Sequence, residues 1–155
     1  MPLRYAPASH WLSVIVLAAF APPAASLPAN PPPLLLFLAD DTSSLGDWTP
    51  DPVKLPFGLK CLAREVNSLG LAFGLWVEPE MVNVKSELYR RHPDWALQVK
   101  GRPRNEGRNQ LVLDFANVEV VHYITETLCS LLASAPISAI KWDMNRHLSE
   151  VFSPA

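Results

Sequence analysis

The chain alternates between short apolar runs with strand character and segments whose apolar positions recur at helical spacing. In "LPFGLKCLAREVNSLG", Leu59, Leu62, Val66 and Leu69 fall on one helical face, and Gly70 supplies a stop. "LAFGLWV" follows at once and reads as a strand. It ends at "EPEMV", where Pro79 lacks the N–H that a central strand must donate. "SELYRRHPDW" predicts a short helix stopped by Pro93, and "NQLVLDF" a further strand. "NVEVVHYITETLCSLLA" carries the clearest helical signal: Val121, Ile124, Leu128 and Leu131 share a face. Asn117 stands where a cap belongs, and Glu119 meets the positive end of the helix dipole. "ISAIKWD" is the last strand, and Leu34 to Leu38 predict a short buried strand upstream. Strands alternating with helices predict an α/β fold with a parallel sheet and right-handed crossovers.

The first residues differ in kind. Arg4 precedes an apolar run from Trp11 to Ala21, and the small residues Ala24, Ala25 and Ser26 follow. Residues 1–26 therefore read as a signal peptide or as an unrelated leader. The apolar run is shorter than the roughly 20 residues a membrane-spanning helix needs, so no membrane span is expected. Residues 27–33 form a Pro-rich linker. The compartment stays open: secretion follows if the leader works, and the cytoplasm otherwise.

A chain of 155 residues suits one modest domain and can bury a real core. A complete (β/α)₈ barrel takes roughly 200 residues or more. The net charge of −2 implies no general attraction to nucleic acid or an anionic membrane. The local basic cluster "KGRPRNEGR" reads as a solvated loop on charge alone. Cys61 and Cys129 have neither metal spacing nor a disulfide pattern, and are expected as free thiols in helices.

In parallel α/β folds the chemistry gathers beyond the carboxyl ends of the strands, which is where "WVEPE" and "KWDMN" fall. Side chains alternate along a strand, so Lys141, Asp143 and Asn145 are expected on one side and Trp142 on the other. By the same rule Trp76, Glu78 and Glu80 would share a side. A carboxylate beside an ammonium stays ionised and can serve as nucleophile, base or metal ligand, or as half of a structural ion pair. Glu78 and Glu80 could ligate a metal, but no His stands at helpful spacing; His92, His122 and His147 read as surface or helix residues.

Five segments, in this order and spacing, closely resemble the microbial-type α-galactosidases, the melibiase/raffinose-cleaving family of retaining glycoside hydrolases. They are "DDTSSLGDW", "FGLWVEPEMV", "HPDWALQV", "GRPRNEGRNQLVLDF" and "KWDMNRHLSE". The likeness covers about residues 40–152. It implies that residues 34–155 form a partial (β/α)₈ TIM barrel, roughly its first half, with parallel strands and alternating helices. It also implies hydrolysis of terminal α-D-galactosides by double displacement. Asp143 would be the nucleophile, with Lys141 touching sugar hydroxyls and keeping Asp143 charged. Trp76 would wall the galactose pocket, Arg108 would contact substrate, and Asn145 would line the site. The expected partners are α-galactoside oligosaccharides such as melibiose or raffinose, with no cofactor and no metal. Members of the family are often oligomeric.

The sequence also departs from the family's pattern. The family's Asp-Asp-Gly-Trp grip on galactose hydroxyls has no match, because "LFLADD" runs directly into the motif that begins at Asp40 and Asp41. The family's acid/base lies well downstream of the nucleophile strand, and this sequence ends at Ala155. The expectation is a chain without that second carboxyl and without turnover of its own. The alternative is a non-catalytic sugar-binding remnant or an inert gene fragment.

Overall fold

The computed structural model describes the backbone of residues 33–37 and the whole of residues 42–148 and 152–153. The leader, the linker up to its last residue, Leu38, and the Asp40–Asp41 pair lie outside the described residues. So does the burial expected for the first strand.

Strands β1 (Pro33–Phe37), β2 (Ala72–Val77) and β5 (Ala139–Trp142) form a parallel sheet with β2 in the middle. In register, Phe37 faces Trp76 and Trp76 faces Lys141. β2 is buried from Phe73 to Val77, as an unbroken apolar run should be when both faces of a parallel strand are covered. β5 lies at the sheet edge, and Ile140, Lys141 and Trp142 are exposed.

Two helices pack on the core, the first of them against β2. Helix α1 (Gly58–Ser68) buries Leu59, Leu62, Ala63 and Val66. Leu69 was expected on that face but is 41% exposed. The helix ends at Ser68, and Gly70, at φ 78°, turns the chain away before Leu69 can face the core. Helix α3 (Val118–Ser134) buries Val120, Ile124, Leu128 and Leu131, capped by the Asn117 side chain, which accepts from Glu119 N at 3.0 Å. The stripe runs through Val120, whereas Val121 is 39% exposed. Either residue lies within reach of Ile124 at helical spacing, and packing against the common core chooses the phase. Cys61 and Cys129 are free and exposed on these two helices.

The largest correction concerns "NQLVLDF". Only Leu111–Val112 forms a strand, β4, and it pairs antiparallel with β3 (Met81–Val82) outside the main sheet. Arg108 and Asn109 adopt left-handed backbone (φ 55° and 60°) and reverse the chain just before it. Leu113 N then donates to Glu80 O and Asp114 N to Trp95 O, so the segment is tied to loops rather than to β2. Between β3 and β4 lie helix α2 (Glu87–Arg91) and a single 3₁₀ turn at Pro93–Trp95, with Pro93 opening the turn where its missing N–H costs nothing.

The 42–49 loop locks onto this layer. Gly46 sits at φ 106°, and a Cβ there would meet Val82 Cγ2 at 3.0 Å and Leu88 Cδ2 at 3.1 Å. Asp47 accepts from Glu87 N at 3.0 Å and Leu88 N at 2.8 Å, so a carboxylate forty residues upstream caps α2 beside Ser86.

Candidate active site

β2 and β5 end side by side, and the residues just past their ends build the site. Asp143 N donates to Val77 O at 2.9 Å, which extends the β2–β5 ladder one residue beyond Trp142. Alternation then carries Lys141 and Asp143 to the same side, with Lys141 Nζ 3.3 Å from Asp143 Oδ2. Trp76, the register partner of Lys141, donates its indole N–H to the same oxygen at 3.0 Å. Trp142 points the other way and donates to Glu80 Oε1 at 3.2 Å.

Glu80 therefore does not share a side with Trp76 and Glu78, as strand alternation had implied. Pro79 and Glu80 form a turn, closed by Met81 N donating to Glu78 O at 3.1 Å, and the period of two ends there.

The Asp143 carboxyl is lowered from 3.8 to about 2. The indole N–H of Trp76 contributes most, and the Asn145 side chain comes next. Partial desolvation pulls the other way, and Lys141 adds a hydrogen bond and its charge. Lys141, whose side chain is 55% exposed, lowers Asp143 as expected, through both its hydrogen bond and its charge, and the Trp76 indole joins it on the same oxygen. The Asp143 side chain keeps 27% of its surface open.

Asn145 ties this cluster to the loop that precedes β4. Its backbone N donates to Glu78 Oε1 at 2.6 Å, and its backbone O accepts from Arg108 Nη1 at 3.4 Å. The second Glu78 oxygen accepts from Gln110 Nε2 at 3.1 Å. Arg146 completes the clamp by donating to Gln110 O, and to Asn105 O at 3.0 Å. The Arg146 guanidinium lies over Gly107, where a Cβ would stand 3.4 Å from Cζ.

The structure thus brings Trp76, Lys141 and Asp143 together directly, ties Asn145 to the end of β2 through Glu78, and joins Arg108 through the Asn145 backbone. Gln110 and Arg146 are parts that sequence reasoning missed, and Glu78, weighed there only as a metal ligand, was given the wrong kind of partner. Glu78 carried one usable signal: a carboxylate directly after a wholly apolar strand must find donors if it is buried. Gln110 and Arg146 carried none, since their partners lie more than thirty residues away.

The melibiase family model matches residues 37–155. The α-galactosidase AgaA of Geobacillus stearothermophilus is 63% identical over 116 residues, covering 75% of this chain and 16% of that protein. A probable α-galactosidase G of Aspergillus terreus is 48% identical over 121 residues, covering 74% of this chain and 17% of that protein. Among solved structures, a GH36 α-galactosidase AgaA variant in complex with raffinose superposes with a TM-score of 0.81 at 51% identity. That match covers 93% of this chain and 20% of the other. The chain spans about a sixth of the length of the curated relatives it matches. On the family model and these identities together, the chain belongs to the melibiase family of α-galactosidases.

Proposed function

We propose that this chain carries the nucleophile side of an α-galactoside site, built on roughly the first half of a (β/α)₈ barrel. The observation that carries the reading is the Asp143 carboxylate, held ionised by the Trp76 indole and Lys141 yet still open to an incoming ligand. The parallel order β1–β2–β5, with Asp143 at a strand's carboxyl end, supports the barrel reading.

In this reading Asp143 is placed to attack the anomeric carbon of a terminal α-galactoside such as melibiose or raffinose, a step that needs a second carboxyl from outside the described residues to protonate the leaving glycosidic oxygen. The same second carboxyl would then activate the water that releases galactose with net retention. Lys141 Nζ has further N–H donors for a sugar hydroxyl. Trp76 fixes the nucleophile and contributes to the pocket wall. Asn145 and Arg108 line the approach from the loop before β4.

Retention requires a second carboxyl about 5–5.5 Å from the nucleophile, to protonate the leaving oxygen. Among the described residues neither neighbouring glutamate fills that place: Glu78 is fully buried with both oxygens engaged, and Glu80 is engaged by Trp142 on the other side. The chain by itself is therefore read as binding an α-galactoside without turning it over. This favours a sugar-binding polypeptide over an autonomous hydrolase. Incubation with raffinose tests it, because its unactivated glycosidic oxygen needs a proton donor to leave. Saturable binding without galactose release is expected. Release abolished by Asp143→Ala would show that the chain holds its own proton donor, and absence of binding would leave an inert polypeptide.

A further inference from the structure

Arg108 and Asn109 form the tip of a tight hairpin. Gly107 N donates to Gln110 O at 3.1 Å, and Gln110 N returns the bond to Gly107 O at 2.9 Å. Both tip residues have positive φ, 55° and 60°. A turn of this kind favours Asn-Gly, because glycine adopts such backbone freely. An arginine in its first central position costs on the order of 1–3 kcal/mol, and contacts from outside the turn have to offset that.

Two side chains supply them. Asn83, fully buried, donates from Nδ2 to Asn109 O at 2.8 Å. Arg146, half-buried just past Asp143, donates to Gln110 O, and to Asn105 O at 3.0 Å, so that it holds the hairpin by a carbonyl on each side of the tip. Its guanidinium packs on Gly107, where a Cβ would stand 3.4 Å from Cζ. A planar fork of separate N–H groups suits two carbonyls at once. The strained tip in turn brings Arg108 to the site: its Nη1 meets Asn145 O at 3.4 Å, in the stretch that follows Asp143. Glycine in place of Arg108 would make an easier turn and carry no guanidinium.

We propose that Arg146 is a positioning residue for Arg108: its grip on the Asn105 and Gln110 carbonyls holds the strained tip from which the Arg108 guanidinium faces the loop past Asp143. Arg146 acts through main-chain geometry and not through its charge. The proposal rests on the reading of Arg108 as a contact for an α-galactoside, but half of its test is read without any sugar.

The full chain is compared with Arg146→Met, Arg146→Lys, Arg108→Ala, and the first and last combined. Without sugar, the readouts are hydrogen exchange at the Gly107 and Gln110 amides, and the ¹³Cα and ¹³Cβ shifts of Arg108 and Asn109, which report left-handed backbone. In the unaltered chain both amides are protected and the shifts are left-handed. In Arg146→Met protection falls about tenfold or more and the shifts move toward ordinary values, while the amides of β2 and α3 stay as they were. Arg146→Lys does the same, because one ammonium cannot span both carbonyls. With raffinose as the probe, Arg146→Met and Arg108→Ala each weaken binding about tenfold, and the combined variant is no weaker than Arg108→Ala alone. Hairpin signals that ignore both Arg146 changes overturn the proposal. So does Arg146→Lys with an intact hairpin, since charge would then suffice. A combined variant weaker than Arg108→Ala also overturns it, since Arg146 would then act on the sugar itself. Should Arg146→Met not fold, Arg146→Lys and the shifts of the unaltered chain still decide. A loosened hairpin with raffinose binding absent, or untouched by Arg108→Ala, would refute the galactoside reading of Arg108 and leave the clamp standing.

Discussion

Glu78 and Asp143 occupy equivalent places in the sheet. Each is the first residue past its strand, just beyond the paired Val77 and Trp142. The strands themselves are opposites: β2 is interior and buried, β5 is at the edge and largely exposed. Glu78 is sealed, and both its oxygens are spent on uncharged donors. Asp143 remains 27% open, with an indole and an ammonium converging on one oxygen. Two carboxylates in matching positions thus acquire different work, and the difference comes from what surrounds each strand end. In the proposed reading Asp143 is the carboxylate that reacts, which needs access and a fixed charge, while one that holds a loop needs burial and complete satisfaction.

That contrast can be broken most severely at the strands. Phe73→Ala in β2 should cost about 3–5 kcal/mol in urea unfolding, because the cavity it leaves in a packed interior cannot collapse. Ile140→Ala in β5, where the side chain is already 38% exposed, should cost about 1 kcal/mol or less. Equal losses would mean that β5 is covered in solution. Next in size, Glu78→Ala should cost about 1–3 kcal/mol through its stranded donors, with Glu78→Gln well below that in the same assay.

Acid sharpens the contrast further. The folded-state value of Asp143, about 2, lies below its ordinary 3.8. The stabilisation from its contacts is therefore complete above 3.8 and is lost as the pH falls through about 2. Unfolding measured at pH 5 and pH 2.5 should show this loss, and Asp143→Asn should remove that part of the pH dependence. Trp76→Phe should raise the Asp143 titration, since the indole bond is the largest single cause of its lowering, and Lys141→Ala should raise it as well. A titration unmoved by Trp76→Phe would contradict the part given to the indole.

Much of this architecture was legible in the sequence because it is local. The apolar run of β2, the Asn117 cap of α3 and the stop at Gly70 are set by neighbours in the chain. The alternation that puts Lys141 and Asp143 together is equally local. The errors appear where distant packing decides. Val120 replaces Val121 because the packed core, not the helix, selects which side of the stripe is buried. The strand expected in "NQLVLDF" shrinks to two residues because the left-handed Arg108 and Asn109 turn the chain toward β3. Non-glycine residues there cost on the order of 1–3 kcal/mol each, and no pattern of apolar spacing reveals such strain. The clamp made by Arg146, and the capping of α2 by Asp47, join segments about forty residues apart. Asp143 itself stood out only as a charge at a strand end; the five-segment resemblance gave it a role.

The most direct test of the account follows the Trp76 indole N–H and the Asp143 carboxyl by NMR while p-nitrophenyl α-galactoside is added, with the α-glucoside as control. Saturable shifts at Trp76, Lys141, Asp143 and Asn145 with the galactoside, and much weaker ones with the glucoside, are the expected result. Signals at these four residues that ignore both sugars, while others move, would contradict the claim that the end of β5 presents a galactoside-facing nucleophile.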